Sequence, residues 1–415
     1  MKILVLSQYF TPEPITKPLE IAEALRDAGH SVHVVTGFPN YPDGKLYPGF
    51  PLRLFRRDIV AGIPVIRTWV FPSHGTSRVG RLLNYASFMV SSIAGGLLAG
   101  RFDAIYVWHP PLTIGVAAAA IAAIRRRGFV YDVLDIWPES AIATGFLRPG
   151  RLFNLLARLE TFVYRRAAHI FVVTDSARAN LIGKGVPHHK VTVQPPWYDD
   201  ANMRQIAPSD REAVRSHEDW HGRFVVMFAG NMGVLQGLDN LLHSVQRLPR
   251  DTAITVAMVG DGMDLPRLKQ LVIDLQLTGR VAFVERQPSS AMARYFAAAD
   301  ALFVQLRTSP VAGFSIPAKT VAYLAAGKPI VVASAGAAAE IVSKAEAGIV
   351  VPPDDADGLA RALVDMSRMN SDERARMGCR GRQYFEAHFR RETILPAYIA
   401  ALSRVAEGSG GRGVR

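Results

Sequence analysis

Short, unbroken apolar runs alternate with stretches of helical period along the whole chain. In the first half the runs are ILVLS (3–7), VHVVT (32–36), AIYVW (104–108), FVYDVL (129–134) and IFVVT (170–174). In the second they are FVVMFAG (224–230), ITVAMVG (254–260), VAFV (281–284), ALFVQL (301–306) and PIVVAS (329–334). Continuous rather than alternating apolar character predicts strands covered on both faces, as in parallel sheets. Between them, Leu152, Leu155, Leu156, Leu159 and Val163 fall at helical spacing, as do Leu238, Leu241, Leu242, Val245 and Leu248. Strand–helix alternation, repeated in two halves, predicts an α/β chain with two Rossmann-like, doubly wound parallel-sheet domains. The domains are expected at 1–195 and 223–389, joined by a polar, proline-bearing linker at 196–222. A crossover helix is expected at 390–407, and a disordered tail at 408–415.

Composition narrows the class. The 415 residues are 49% hydrophobic and 20% charged, which suits a globular chain and excludes a disordered or fibrous one. The single cysteine, Cys379, rules out an internal disulfide. The net charge of +12 is uneven: residues 1–195 hold 22 Lys/Arg against 12 Asp/Glu, and residues 196–415 hold 26 against 24. A basic first half suggests an anionic partner, a membrane surface, a phosphorylated lipid or nucleic acid, with solubility as the bland alternative. The opening MKILVLS reads as a buried strand, not a targeting segment. Residues 82–100 carry no charge and are just long enough to span a bilayer. Asn84 and several serines and glycines dilute them, so a headgroup-level helix, or one packed under the sheet, is expected instead of a span.

In open parallel sheets ligands bind beyond the carboxyl ends of the strands. After FVVMFAG, Gly230, Gly233 and Gly237 form a glycine turn that enters a helix, a place for either an anion or a tight connection. After ALFVQL, Ser315 is expected as an N-cap, Pro317 in the first turn, and Lys319 one turn in. A lysine near a helix N-terminus is unfavourable unless something negative sits there, which argues for a phosphate ligand. In the first half, strand ends bring Trp108 and His109 near Asp135, Trp137 and Glu139. Aromatic faces with carboxylates suit a sugar, though the tryptophans suit core packing equally. A Walker loop, an early G-x-G-x-x-G and a G-x-S-x-G elbow are missing from the sequence.

With QYFTPEP, FPNYPDGKLYPGF, DIWPES, FAGNMGVLQGLDNLL, VGDG and PAKTVAYLAAGKPIVV in place, the chain resembles retaining glycosyltransferases of family 4 over about 1–405. The likeness is to a bacterial surface-polysaccharide branch that includes N-acetyl-L-fucosaminyltransferase-like enzymes. It implies a GT-B fold, two Rossmann-like domains facing a cleft, with the last helix crossing back to the first domain. It implies transfer from a nucleoside-diphosphate sugar, UDP-linked in that branch, to a polyprenyl-diphosphate-linked saccharide. The setting implied is the cytoplasmic, inner face of the plasma membrane, with peripheral attachment to an anionic surface. No separate cofactor, no metal and no nucleic-acid partner are implied, since the nucleotide sugar is a substrate.

The resemblance also distributes roles. Asn231, Gly233, Gln236 and Gly237 would lie along the diphosphate, with Gly260, Asp261 and Gly262 beside the base. Gly313, Phe314, Ser315 and Ile316 would offer amides to sugar and phosphate, and Lys319 would neutralise phosphate. Tyr9, Trp108, His109 and Trp137 would receive the acceptor, with His109, Asp135 and Glu139 joining Lys319 as catalytic groups. The chain departs from the family where Phe314 and Ala322 replace a Glu-x7-Glu pair, and where Asn231 and Gln236 replace Arg and Lys. Rival expectations are a UDP-sugar epimerase on the same fold and a nonenzymatic nucleotide-sugar binding protein.

Overall fold

A computed structural model describes the chain apart from residues 74–76, 144, 146, 310 and 411–415. Two compact units result, Met1–Gln194 with Leu395–Arg415, and Pro195–Ile394.

The first unit carries an eight-stranded sheet of β1 (Lys2–Leu6), β2 (Ser31–Gly37), β3 (Phe55–Val60), β4 (Ile63–Thr68), β5 (Ala104–His109), β6 (Gly128–Val133), β7 (His169–Val172) and β8 (Val191–Val193). Its order is β3-β4-β2-β1-β5-β6-β7-β8, parallel except for the β3–β4 hairpin. The second unit carries β9 (Phe224–Ala229), β10 (Ile254–Val259), β11 (Val281–Val284), β12 (Ala301–Gln305), β13 (Ile330–Ala333) and β14 (Gly348–Val351). Its order is β11-β10-β9-β12-β13-β14, with every pairing parallel. Each sheet reverses its winding direction beside its first strand, at β1/β5 and at β9/β12, and such reversals open a crevice at the strand ends. All ten apolar runs are strands, because each is sandwiched between helices and needs apolar residues on both faces.

Four strands were not expected. In β3, FRRDIV, exposed and half-buried positions alternate at the sheet edge, so it lacks the continuous apolar signal. The partner strand β4 hides an arginine: Arg67 is fully buried and pairs with Asp58 of β3 at 2.8 Å. β8 is only three residues long, and β14 is an edge strand led by Gly348.

The expected linker 196–222 carries local structure of its own. It forms a 3₁₀ turn (Ala201–Gln205) and a helix (Pro208–His217) that pack within the second unit. Arg215 secures that helix by donating to the Ala298 carbonyl at 2.7 Å and pairing with Asp300 at 3.1 Å. The apolar stretch 82–100 lies mostly in the helix Arg78–Leu98, which packs on the sheet and buries Asn84, Phe88 and Ser92. Asn84 accepts from Gln8 Nε2 at 2.6 Å and donates to Asn40 Oδ1 at 3.0 Å, so its polarity is an internal cross-link. No helix among the described residues is long and apolar enough to cross a membrane. The final helix runs Arg391–Gly410, so residues 408–410 are helical instead of a loose tail, and 411–415 lie outside the described residues.

That last helix is tied to the first unit by a buried polar knot. Tyr106 and Tyr398 both donate to Asp132 Oδ2, at 2.5 and 3.1 Å. Tyr398 also packs on Phe171, with ring centroids 4.4 Å apart. Burial raises the Asp132 pKa to about 6 despite these two donors. Replacing Tyr398 with Phe removes one donor from a buried acid, at a cost of about 1–3 kcal/mol. We expect faster amide hydrogen exchange over 395–408 in that variant; unchanged protection would mean the knot does not hold the helix.

Candidate active site

The second unit has a cavity of about 760 Å³ at the carboxyl ends of β9, β10 and β11. Its polar rim includes Asn231, Gln236, Asp261, Arg286 and Lys319. Tyr198, Met292, Phe296 and Tyr323 contribute an apolar side.

The floor is main chain. The turn after β9 and the turn after β10 run against each other, with Gly230 N–H donating to the Val259 carbonyl at 3.0 Å and Met232 N–H to the Asp261 carbonyl at 2.7 Å. Asp264 N–H returns a bond to the Met232 carbonyl at 3.0 Å. Gly260 has a φ of +133°, and a Cβ there would lie 2.3 Å from the Gly230 oxygen. The two glycine turns therefore form one surface, and only a residue without a side chain fits their seam.

Lys319 stands beside this floor. Its helix is Ala318–Ala325 with Pro317 as N-cap, so the expected start at Ser315 is two residues too early. Pro317 can flank the start because the first helical N–H groups have no intrahelical acceptor in any case. Lys319 is thus the second helical residue, closer to the positive end of the helix than expected. Its Nζ donates to Gln236 Oε1 at 2.5 Å and sits 3.9 Å above the centroid of the Phe228 ring. A Cβ on Gly230 would be 3.8 Å from that Nζ. Burial pulls the Lys319 pKa down to about 7. A cation that is desolvated at a helix N-terminus, with only a neutral amide to accept from it, is poised for an anion.

The expected donor residues divide. Asn231, Gln236, Gly260, Asp261, Gly262 and Lys319 line the cavity. Gly233 and Gly237 do not. Gly237, at φ +63°, shapes the entry to helix Leu238–Gln246, and its carbonyl accepts from Gln305. Gly313, Phe314, Ser315 and Ile316 also lie off the cavity lining. The Phe314 amide is already given to the Val311 carbonyl at 3.0 Å, and Ile316 packs against the core. Sequence reading missed Arg286, Tyr198, Met292 and Phe296. Arg286 follows a strand end and was open to the same logic as the glycine turns. The others come from helices and loops whose convergence has no local signature.

In the first unit, His109 ends β5 and is buried, with its ring 5.6 Å from Tyr131. Burial lowers its pKa to about 3, so it is neutral at pH 7 and Nδ1 has no partner among the described atoms. Tyr9, just beyond β1, is buried 5.1 Å from Tyr41. Trp108 precedes His109 on the strand and so points to the opposite sheet face, where it is buried. Trp137, Asp135 and Glu139 follow β6, and desolvation raises the pKa of Asp135. Glu139 meets Lys184 at 2.7 Å, and the same Lys184 reaches the fully buried Glu160 at 2.7 Å. Glu13, not singled out before, accepts the amides of Phe10, Asn40 and Tyr41 at 2.8–2.9 Å and joins the loops after β1 and β2. Among the described residues no group of three or more His, Cys, Asp or Glu is placed to hold a metal ion.

The architecture, two parallel-sheet α/β units with a long final helix, is that of a GT-B protein. Residues 16–197 match the family described as glycosyl transferase 4-like domain, and 223–368 match glycosyl transferases group 1. Two glycosyltransferase domain families thus match successive stretches of the chain. WcaI of Escherichia coli (strain K12), named for glycosyl transfer in colanic acid biosynthesis, is 29% identical over 65% of this chain and 68% of its own length. WbjE of Pseudomonas aeruginosa, named as a glycosyltransferase, is 27% identical over 59% of this chain and 61% of its own. The solved structure of Anabaena Alr3699/HepE in complex with UDP and glucose has the same fold. It superposes with a TM-score of 0.72 at 22% identity, covering 97% of this chain and 99% of that one.

The seam between the glycine turns predicts a specific sensitivity. Gly260→Ala should destabilise the second unit by about 3 kcal/mol or more, since strain and a main-chain clash coincide. A thermal melt with an unchanged midpoint would show that the turns are not in contact.

Proposed function

We propose that the protein is a retaining glycosyltransferase that moves a sugar from a nucleoside-diphosphate sugar, UDP-linked, to a lipid-linked saccharide in bacterial surface-polysaccharide synthesis. The observation that carries this reading is Lys319, desolvated beside a main-chain floor in a cavity of nucleotide size. The two matched domain families and the relatives' names support glycosyl transfer. The UDP and glucose in HepE support the choice of donor.

In this reading the leaving group is a nucleoside diphosphate, and the C–O bond to the sugar breaks as negative charge gathers on the β-phosphate. Lys319, the N-terminus of its helix and the amides of the glycine turns stabilise that charge. Arg286 is the second cation on the rim. The bond lost in the process is Lys319 to Gln236, so Gln236 acts as a placeholder that keeps the ammonium over Phe228 until phosphate arrives. Asn231 and Asp261 flank the donor. The acceptor is received at the first unit's strand ends, where neutral His109, Tyr9, Trp137, Asp135 and Glu139 offer hydrogen bonds and an aromatic face. The acceptor proton passes to the departing phosphate, so no protein base is needed. The basic first half draws the enzyme to the anionic inner membrane face that carries a polyprenyl-diphosphate acceptor.

Two outcomes are expected. With a UDP-sugar and a polyprenyl-diphosphate saccharide, mass spectrometry should show a product heavier by one sugar, and Lys319→Ala should lower turnover by about 10²–10³-fold. Conversion of the UDP-sugar alone into an isomer would instead identify an epimerase. The second outcome concerns pH. Lys319 titrates near 7 when free, and a bound diphosphate raises its pKa, so binding takes up a proton above pH 7. Affinity for a UDP-sugar should be level below pH 7 and fall by up to about tenfold per unit above it. Calorimetry should find no such slope in Lys319→Ala; an equal slope in both proteins would free Lys319 of the role.

A further inference from the structure

The first unit holds a second cavity, of about 950 Å³, at the edge opposite the strand ends just described. It lies where helix Leu112–Arg125 turns into β6 and helix Arg151–Arg166 turns into β7. Arg125, Arg126, Arg127, Arg165, Arg166 and Lys190 line it, and no Asp or Glu does. Helix C-termini attract cations, so some basic residues belong here for structural reasons alone.

Two of the six have such work. Lys190 Nζ donates to the carbonyls of Arg165 and Ala167 at 3.1 and 3.0 Å, closing the end of the second helix. Arg125 donates to the Leu97 carbonyl at the end of a neighbouring helix. Arg126, Arg127, Arg165 and Arg166 form no ion pair with a carboxylate among the described residues. Arg126 also sits at φ +54°, ψ +44°, a left-handed cap where glycine is free of strain and arginine is not. Four guanidinium groups in excess of the helix ends, gathered round a hollow without counter-charge, repel one another and focus a positive potential.

We propose that this cavity binds a compact phosphate-ester anion bearing two or three phosphate groups, carried by a free small molecule or by a lipid headgroup. Guanidinium groups grip such oxygens in bidentate pairs, and several can share one polyphosphate. Phe129, the one aromatic lining residue, is buried, so the cavity has no open ring for a base to stack on, and a single-stranded nucleic acid is poorly served. The site is in the other unit from the proposed donor cavity and does not depend on that assignment.

Calorimetry of the full chain with sodium tripolyphosphate tests the proposal. Arg126→Gln/Arg165→Gln/Arg166→Gln should weaken binding at least about tenfold, while Lys319→Ala should leave this site's binding in place. Arg126→Gly relieves the left-handed cap, so it should keep or raise the melting temperature and still weaken binding. Co-sedimentation with phosphatidylinositol 4,5-bisphosphate vesicles separates the sources. Loss of vesicle binding in the arginine variants assigns a lipid headgroup, and loss of tripolyphosphate binding alone assigns a free anion. Equal binding of both probes by wild type and arginine variants, or binding of neither by the wild type, overturns the proposal.

Discussion

The seam between two glycine turns is the constraint on which the candidate site rests. Where Gly230 and Met232 meet Gly260 and Gly262, main chain touches main chain, and the space a side chain would need is already filled by carbonyl groups. Two ladder-like bonds hold the seam, and they extend the β9–β10 pairing beyond the strands themselves. A rigid floor of this kind can present polar main chain to a ligand without any side chain having to be ordered first, which limits the entropy lost on binding. The β9/β12 reversal supplies the opening above it.

Upon that floor the protein sets one costly group. Lys319 gives up solvation, stands at the wrong end of a helix dipole and keeps only an amide oxygen and the face of Phe228 as company. Each of these would be relieved by an anion, and none is needed for the fold, since Tyr323 already anchors the same helix by hydrogen bonding to both the amide and the carbonyl of Ala229. The first unit differs in character. Its strand ends carry His109, Asp135 and Glu13, groups whose charged forms desolvation disfavours and which suit hydroxyl recognition more than charge neutralisation. Its excess positive charge lies elsewhere, in part at the opposite sheet edge.

Much of this was legible in the sequence, for physical reasons. Apolar runs such as FVVMFAG mark strands because both faces of a parallel sheet are covered. Gly230 and Lys319 could be placed at a site because strand ends are where ligands approach, and Gly260 and Gly262 through the family resemblance. What escaped notice has equally definite causes. Edge strand β3 carries three consecutive charged residues, Arg56, Arg57 and Asp58, and Arg67 looks like surface while lying buried against Asp58. Pro317 begins its helix, although Ser315 has the better capping chemistry by composition, because local propensity yields to the path of the chain. Asp132 and Tyr398 are 266 residues apart, and no periodicity links them. Arg125–Arg127 and Arg165 with Arg166 lie far apart in the sequence, and only folding brings both runs to one hollow.

A crystal structure of the complex with a UDP-sugar addresses the central claim most directly. The account predicts the diphosphate over the 230–232 and 260–262 turns, with Lys319 Nζ moved from Gln236 to a phosphate oxygen at hydrogen-bond distance. A nucleotide bound outside this cavity, or one bound within it while Lys319 still holds Gln236, would contradict it.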